Sequence, residues 1–354
     1  MTFYDRVKEL PLVVDSVDLV QHRMDTSSGF ERVSTVVELH GDGVVGRGED
    51  VTYDAEDHEA LVETAPEFPH LKGEFTLQTF SERLDEVDLW PEPPERETSR
   101  HYRRWAFESA ALDLALRLEG ADLGDVLGRE YDPVRFVVST RLPEGEDGSP
   151  TAERVHEWRD VDPTLEFKLD PTPDWDDDLV AELAETGAVR ILDLKGQYEG
   201  TDVDNPADPD LYERIVEGFP DAIVEDPRLT DETREILRGH EARVSWDYPI
   251  TGVESVRDLP WEPEILNVKP SRFGTVESLF DFLDYCEGEG IDLYGGGQFE
   301  LAVGRQHLHT LASLCYPDAP NDVAPSDYNR PEPTGDLPSS PLDPPASPEG
   351  LGWE

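Results

Sequence analysis

From Val134 onward, short apolar runs alternate with helical stretches, and this rhythm restricts the fold more than any other feature of the chain. The candidate strands are VRFVVS, TLEFKL, VRILDL, DAIVED, ARVSWDY, EILNVK, IDLYGG and a weak last one near NDVAP. Between them lie DDDLVAELAETG, DLYERIVEGF, DETREILRGH, TVESLFDFLDYCEGEG and VGRQHLHTLASL, whose apolar residues recur at helical spacing. Strands at such βα spacing, roughly 20 to 30 residues apart, build parallel units that close into a barrel more readily than they extend as an open sheet. The expected class is α/β, with a TIM-type (β/α) barrel over residues 131–325. The barrel is expected to be modified, with about seven to eight strands, the last two being the weakest.

Residues 1–130 follow another pattern and predict an α+β capping domain. LVVDSVDLVQHRM, VSTVVELHG and GVVGRGEDV have the β-branched content of a meander, with Gly41, Gly43, Gly46 and Gly48 read as its turns. DHEALVETAPEF and RRWAFESAALDLALRLEG carry helical spacing, and the second is apolar around most of its circumference. Such a helix is buried and joins two layers. Residues 326–354, rich in Pro, Ser and Asp, predict an irregular tail that Leu351 and Trp353 could anchor.

Charge narrows the function. Asp and Glu number 81 against 30 Lys and Arg, a formal net charge of -51. Self-repulsion at that charge opposes a compact state, and binding to nucleic acid or an anionic membrane is not expected. In molar salt the Debye length falls to about 3 Å and the repulsion is screened. The composition therefore reads as that of a halophilic cytoplasmic protein. Its aromatic and aliphatic content argues against a disordered acidic chain. No run of 18 apolar residues occurs, and MTFYDRVKEL lacks a signal-peptide pattern. Cys286 and Cys315 have no metal spacing and read as buried filler without a disulfide.

Against this background lysine is a filter. Only Lys8, Lys72, Lys168, Lys195 and Lys269 occur, and the last three end strand-like runs. Lysine can shift its pKa and serve as a base, whereas arginine stays charged. In such barrels chemistry sits at strand ends, which here supply Lys168, Asp193, Glu225, Asp247 and Lys269 in order. One strand-end carboxylate alone is more often solvated or capping a helix. Three in register can converge on a hard divalent cation, Mg²⁺ by preference with Mn²⁺ possible, between two amines. Removal of a weakly acidic proton next to a carboxylate suits that arrangement.

The ordered set FKLD, ILDLKG, IVEDP, SWDYP and NVKPSRFG resembles the enolase superfamily, in particular its muconate-lactonizing (muconate cycloisomerase) branch. The resemblance implies a capping domain, a catalytic barrel and one Mg²⁺ held by Asp193, Glu225 and Asp247. It also implies Lys168 and Lys269 on opposite faces of a metal-stabilised enediolate, and a homo-oligomer. The reaction would be a cycloisomerisation, a racemisation or epimerisation, or a dehydration like that of o-succinylbenzoate synthase. His307 and His309 read as packing or surface residues, which disfavours a His-base branch.

Several positions depart from the family pattern. Glu166 stands where a first lysine of Lys-x-Lys is usual, and Lys195 follows Asp193 where an amide is common. Lys195 either reaches the site or pairs with a carboxylate. The pair Glu225 and Asp226 leaves two candidate ligands, with Glu225 preferred because Pro227 follows. Trp246 and Tyr248 flank Asp247 bulkily. Substrate contacts are expected from Lys195, from Gln298 and Glu300 after Gly295 to Gly297, and from Ser28 and Phe30 in the loop from Met24 to Arg32. That loop, and another starting at Glu49, could close over a small carboxylic acid substrate. The glycine run fits either close backbone approach or a tight turn, and lacks a dinucleotide fingerprint. Two competing readings are a Schiff-base lysine aldolase and a non-catalytic barrel that binds a small acid.

Overall fold

The computed structural model describes residues 1–64, 68–201, 203–332 and 337–353. The N-terminal part contains β1 (Pro11–Val14), β2 (Ser16–Asp25), β3 (Glu31–Gly41), β4 (Val44–Asp50) and β5 (Gly73–Thr76). The strands β2, β3 and β4 form an antiparallel meander, and β1 pairs with β5. The β3–β4 turn is the dipeptide Asp42-Gly43, with φ of 48° and 79°, as a two-residue hairpin of this sequence requires.

Gly46 and Gly48 are not turn residues but lie inside β4. A Cβ on Gly46 would stand 2.3 Å from Leu114 N, and one on Gly48 2.0 Å from Ala106 O. Glycine is needed there because the strand lies directly on the backbone of the helix Ser99–Glu119. That helix is buried over most of its length and ends at Gly120, whose φ is 64°. It does join two layers. On its far side His101 Nδ1 lies 2.8 Å from Arg272 O, and Glu108 accepts the Val276 N–H at 3.4 Å.

The second half carries β6 (Val138–Thr140), β7 (Phe167–Leu169), β8 (Val189–Asp193), β9 (Ile223–Glu225), β10 (Val244–Ser245), β11 (Ile265–Val268) and β12 (Asp292–Gly295). A parallel sheet runs in the order β10-β9-β8-β7-β6, and β11 and β12 form a second parallel pair. Backbone hydrogen bonds link the two at both edges. Asn267 N–H donates to Trp246 O at 3.1 Å, next to β10. At the other edge, Asp322 N–H donates to Gly295 O and Val137 N–H to Asn321 O, both at 2.8 Å.

The expected eighth strand is thus reduced to the bridges Gly296↔Asp322 and Phe136↔Asn321. The Asn321 side chain replaces part of its ladder. Its Oδ1 accepts the Gly295 N–H at 2.7 Å and its amide donates to Arg135 O at 2.9 Å. Inside these strands Val137, Ile191, Ile223 and Tyr294 make a small apolar cluster separate from the main core.

The C-terminal segment is irregular but anchored. Leu342 bridges Val134, Leu351 is fully buried, and Trp353 packs its ring against Tyr131 and His309. Residues 333–336 and 354 of the expected tail lie outside the described residues. Cys286 and Cys315 are free thiols. Among the described residues no helix is long and apolar enough to cross a membrane.

Candidate active site

Parallel register brings the acidic residues together. Asp193 ends β8 opposite Glu225, which ends β9 and pairs with Ser245 of β10, and Asp247 follows two residues later. One oxygen from each of the three carboxylates lies within 4.8 Å of the others, and all three side chains are buried. Asp226, the alternative to Glu225, turns away at a positive φ of 48°. Its two oxygens accept the N–H groups of Asp247 and Tyr248 at 2.8 and 2.9 Å. It therefore shapes the loop that presents Asp247. Burial, then the charge of Asp247, pushes its carboxyl up to about 7.

Both expected flanking lysines reach the trio. Lys168 Nζ lies 2.5 Å from Glu225 Oε1, 3.3 Å from Asp193 and 3.4 Å from Asp322. Burial opposes the ammonium, but these carboxylates outweigh it and hold Lys168 well above its ordinary value. Burial and the neighbouring charges of Asp193 and Asp247 push Glu225 up despite Lys168. Lys269 Nζ approaches from β11 and lies 2.8 Å from Asp247 Oδ2. That oxygen also receives Tyr198 OH at 3.0 Å and Arg272 Nη2 at 3.3 Å. Arg272 and Lys269 pull Asp247 below the usual carboxylate range against its burial.

Lys195, left open between two roles, takes both, because the carboxylate it pairs with belongs to the trio. It binds Asp193 Oδ2 and lies 3.6 Å from Asp170, at a positive φ of 52°. It also lines a cavity of 310 Å³ with Arg141, Asp170, Trp175 and Asn205. A larger groove of 1040 Å³ runs beside β2 and includes no member of the trio. Glu166 is held by Arg135 and Arg190 at 2.7 and 2.6 Å, not by Lys168.

Gln298 and Glu300 are fixed at the junction of the two halves. Tyr53 OH donates to Gln298 Oε1 at 2.7 Å, and Glu300 accepts the Gln298 N–H at 2.7 Å and pairs with Arg305 at 3.1 Å. Gly296 has no room for a Cβ, which would lie 2.4 Å from Asn267 Oδ1 and 2.8 Å from Lys269 Cε. Close approach, not a turn alone, is what this glycine serves. Ser28 sits half-buried in the β2–β3 turn, and Phe30 meets Phe299 edge-on at 5.5 Å. Glu49 is no part of a closing loop. It is buried at the end of β4, where it accepts the N–H groups of Leu301, Ala302 and Gly304 at 2.6 to 3.0 Å. It thereby caps the helix Val303–Cys315.

Sequence reasoning did not single out Tyr198, Asn267, Arg272, Tyr294 or Asp322. Arg272 was visible three residues after Lys269, and Asp322 in the weak eighth strand. Tyr294 gave only the signal of a polar ring inside an apolar run.

The donor set suits a divalent cation. Three buried carboxylates with little water to share their charge require cations, and here lysines and Arg272 supply them. Asp247 Oδ1 is buried with no hydrogen-bond partner among the described residues. An oxygen-only set of this kind fits Mg²⁺.

The chain belongs to the DUF8230 family of unknown function, whose C-terminal domain matches residues 130–330 and whose N-terminal domain matches residues 5–126. It is 28% identical over 342 residues to N-succinylamino acid racemase of Thermus thermophilus, covering 90% of this chain and 84% of that one. It is 23% identical over 267 residues to o-succinylbenzoate synthase of Bacillus subtilis, covering 72% and 68%. A dipeptide epimerase from Methylococcus capsulatus, solved with Mg and the dipeptide L-Arg-D-Lys, superposes with a TM-score of 0.71 at 19% identity, covering 96% and 99%. Solved members of the enolase superfamily share its fold. The relatives it resembles are named as a racemase, a synthase and an epimerase.

Proposed function

We propose that this protein is a divalent-metal-dependent isomerase or lyase that removes the proton α to the carboxylate of a small acid. The observation that carries the reading is the convergence of Asp193, Glu225 and Asp247 between Lys168 and Lys269. The trio would hold the ion, Mg²⁺ first. A bound divalent cation supplies Lewis-acid stabilisation of the charge that develops on a substrate carboxylate, and it takes over carboxylates that otherwise keep Lys168 protonated. Lys168 and Lys269, from strands β7 and β11, handle the proton on two sides of the substrate, one as base and one as acid or charge stabiliser. Residues 1–130 act as a cap over a catalytic barrel of residues 131–325. Gln298 and Phe30 help complete the site's rim.

The lysine pair favours the muconate-lactonizing branch over one with a histidine base, because His309 bonds Val323 O at 2.7 Å and both His307 and His309 are buried. N-acylated amino acids and dipeptides, the substrate types in the relatives' names, are the first substrates to consider. The acid surface fits a halophilic cytoplasm, and a homo-oligomer is the expected assembly. The test is solvent-deuterium exchange at the α-carbon across succinylated amino acids and dipeptides in molar KCl. Exchange with Mg²⁺ that stops in EDTA supports the reading, and exchange that persists in EDTA removes the metal's role.

A further inference from the structure

We infer that Tyr294 is a positioning residue that fixes Glu225 and thereby sets the acidic trio's preference for Mg²⁺ over Ca²⁺. The inference rests on the metal-dependent reading above. Tyr294 is the one polar ring in the inner cluster with Val137, Ile191 and Ile223, and it is fully buried. Its phenol donates to Glu225 Oε2. With that proton engaged, Ser245 Oγ, 3.0 Å away, donates to the phenol oxygen. Asn267 Nδ2 approaches the same Oε2 at 3.3 Å.

Register makes this convergence. Tyr294 is the partner of Asn267 across β11 and β12, and Ser245 is the partner of Glu225 across β9 and β10. Tyr294 and Asn267 thus meet on one oxygen of Glu225, with Ser245 behind the phenol. The other oxygen, Oε1, is left on the side of Lys168 and Asp193.

A hydrogen bond from a hydroxyl to a buried carboxylate is stronger than one between neutral groups. The bond removes rotamer freedom from Glu225 and fixes where Oε1 stands. Mg²⁺ demands near-ideal octahedral geometry at about 2.0 to 2.1 Å, whereas Ca²⁺ accepts about 2.3 to 2.6 Å and flexible coordination. A carboxylate held in one place therefore favours the smaller ion. A loosened one costs Mg²⁺ more than Ca²⁺.

Tyr294→Phe keeps the ring and removes the donor. Mg²⁺ and Ca²⁺ titrations by calorimetry, in molar KCl, should show Mg²⁺ affinity weakened about 10- to 100-fold. Ca²⁺ affinity should fall less, so the Mg²⁺/Ca²⁺ ratio drops, while the metal-free thermal midpoint stays near that of the parent. Ser245→Ala should move the ratio the same way by less, and it carries the test if Tyr294→Phe does not fold. An unchanged ratio in the folded variant overturns the inference. So does equal weakening for both ions with a fall in metal-free stability, which is the mark of a purely structural residue. If the parent chain binds neither ion, the reading of the trio fails and takes this inference with it.

Discussion

The surface and the strand ends of this protein use the same carboxylates under opposite conditions. On the surface, Glu235 pairs with Arg238 while both side chains remain more than half exposed. Within the core, Asp50 and Arg103 bind each other at 2.8 Å with no exposure at all, and the acidic trio is equally closed off. Water and salt share the charge of the exposed groups. Each buried group needs specific partners, either backbone N–H groups, as at Glu49 and Asp226, or a cation, and at the candidate site lysine provides several of the cations. The difference explains why a chain with five lysines keeps three at strand ends.

The largest effects are expected at the site. Lys168→Ala and Lys269→Ala should each reduce α-proton exchange by about 10² to 10⁴ or more, with circular dichroism unchanged. Full exchange in either variant would return that lysine to a packing role. Next in size is the buried pair in the cap. Asp50→Ala leaves Arg103 buried and unpaired, and should cost about 3 to 5 kcal/mol in denaturant titrations. Glu235→Ala should cost about 0 to 1 kcal/mol, and equal losses would erase the distinction.

Acid should also expose buried bases. Burial lowers His307 and His309 from 6.5 to about 4. Between those values the unfolded chain binds protons that the folded chain refuses. Stability is therefore complete above pH 6.5 and declines as pH falls toward 4, by on the order of 3 kcal/mol per histidine. Urea midpoints measured across this window should flatten in His309→Gln. The smallest effect per group, summed over the surface, is that of salt. Moving from 1 M to 0.1 M KCl lengthens screening from about 3 Å to about 10 Å, and the thermal midpoint should fall.

Much of this was legible in the sequence for physical reasons. Parallel strands buried on both faces read as continuous apolar runs, so VRILDL and EILNVK stood out, and their ends supplied Asp193 and Lys269. The glycines of β4 were less transparent. Gly46 and Gly48 looked like turns because the sequence does not show which backbone a strand will touch. The eighth strand was weak because side-chain bonds from Asn321 replace its ladder. Tyr294 and Arg272 escaped notice since their roles depend on register across strands far apart in sequence. Glu49 looked like the start of a loop, yet its partners are N–H groups some 250 residues away.

The account depends most on one ion bound by three carboxylates. Mn²⁺ titration followed by electron paramagnetic resonance, in molar KCl, tests this on the folded chain without a substrate. One ion per chain is predicted, displaced by Mg²⁺ and lost in Asp193→Asn, Glu225→Gln and Asp247→Asn. Binding that persists undiminished in Glu225→Gln, or no binding to the parent chain, would contradict the account.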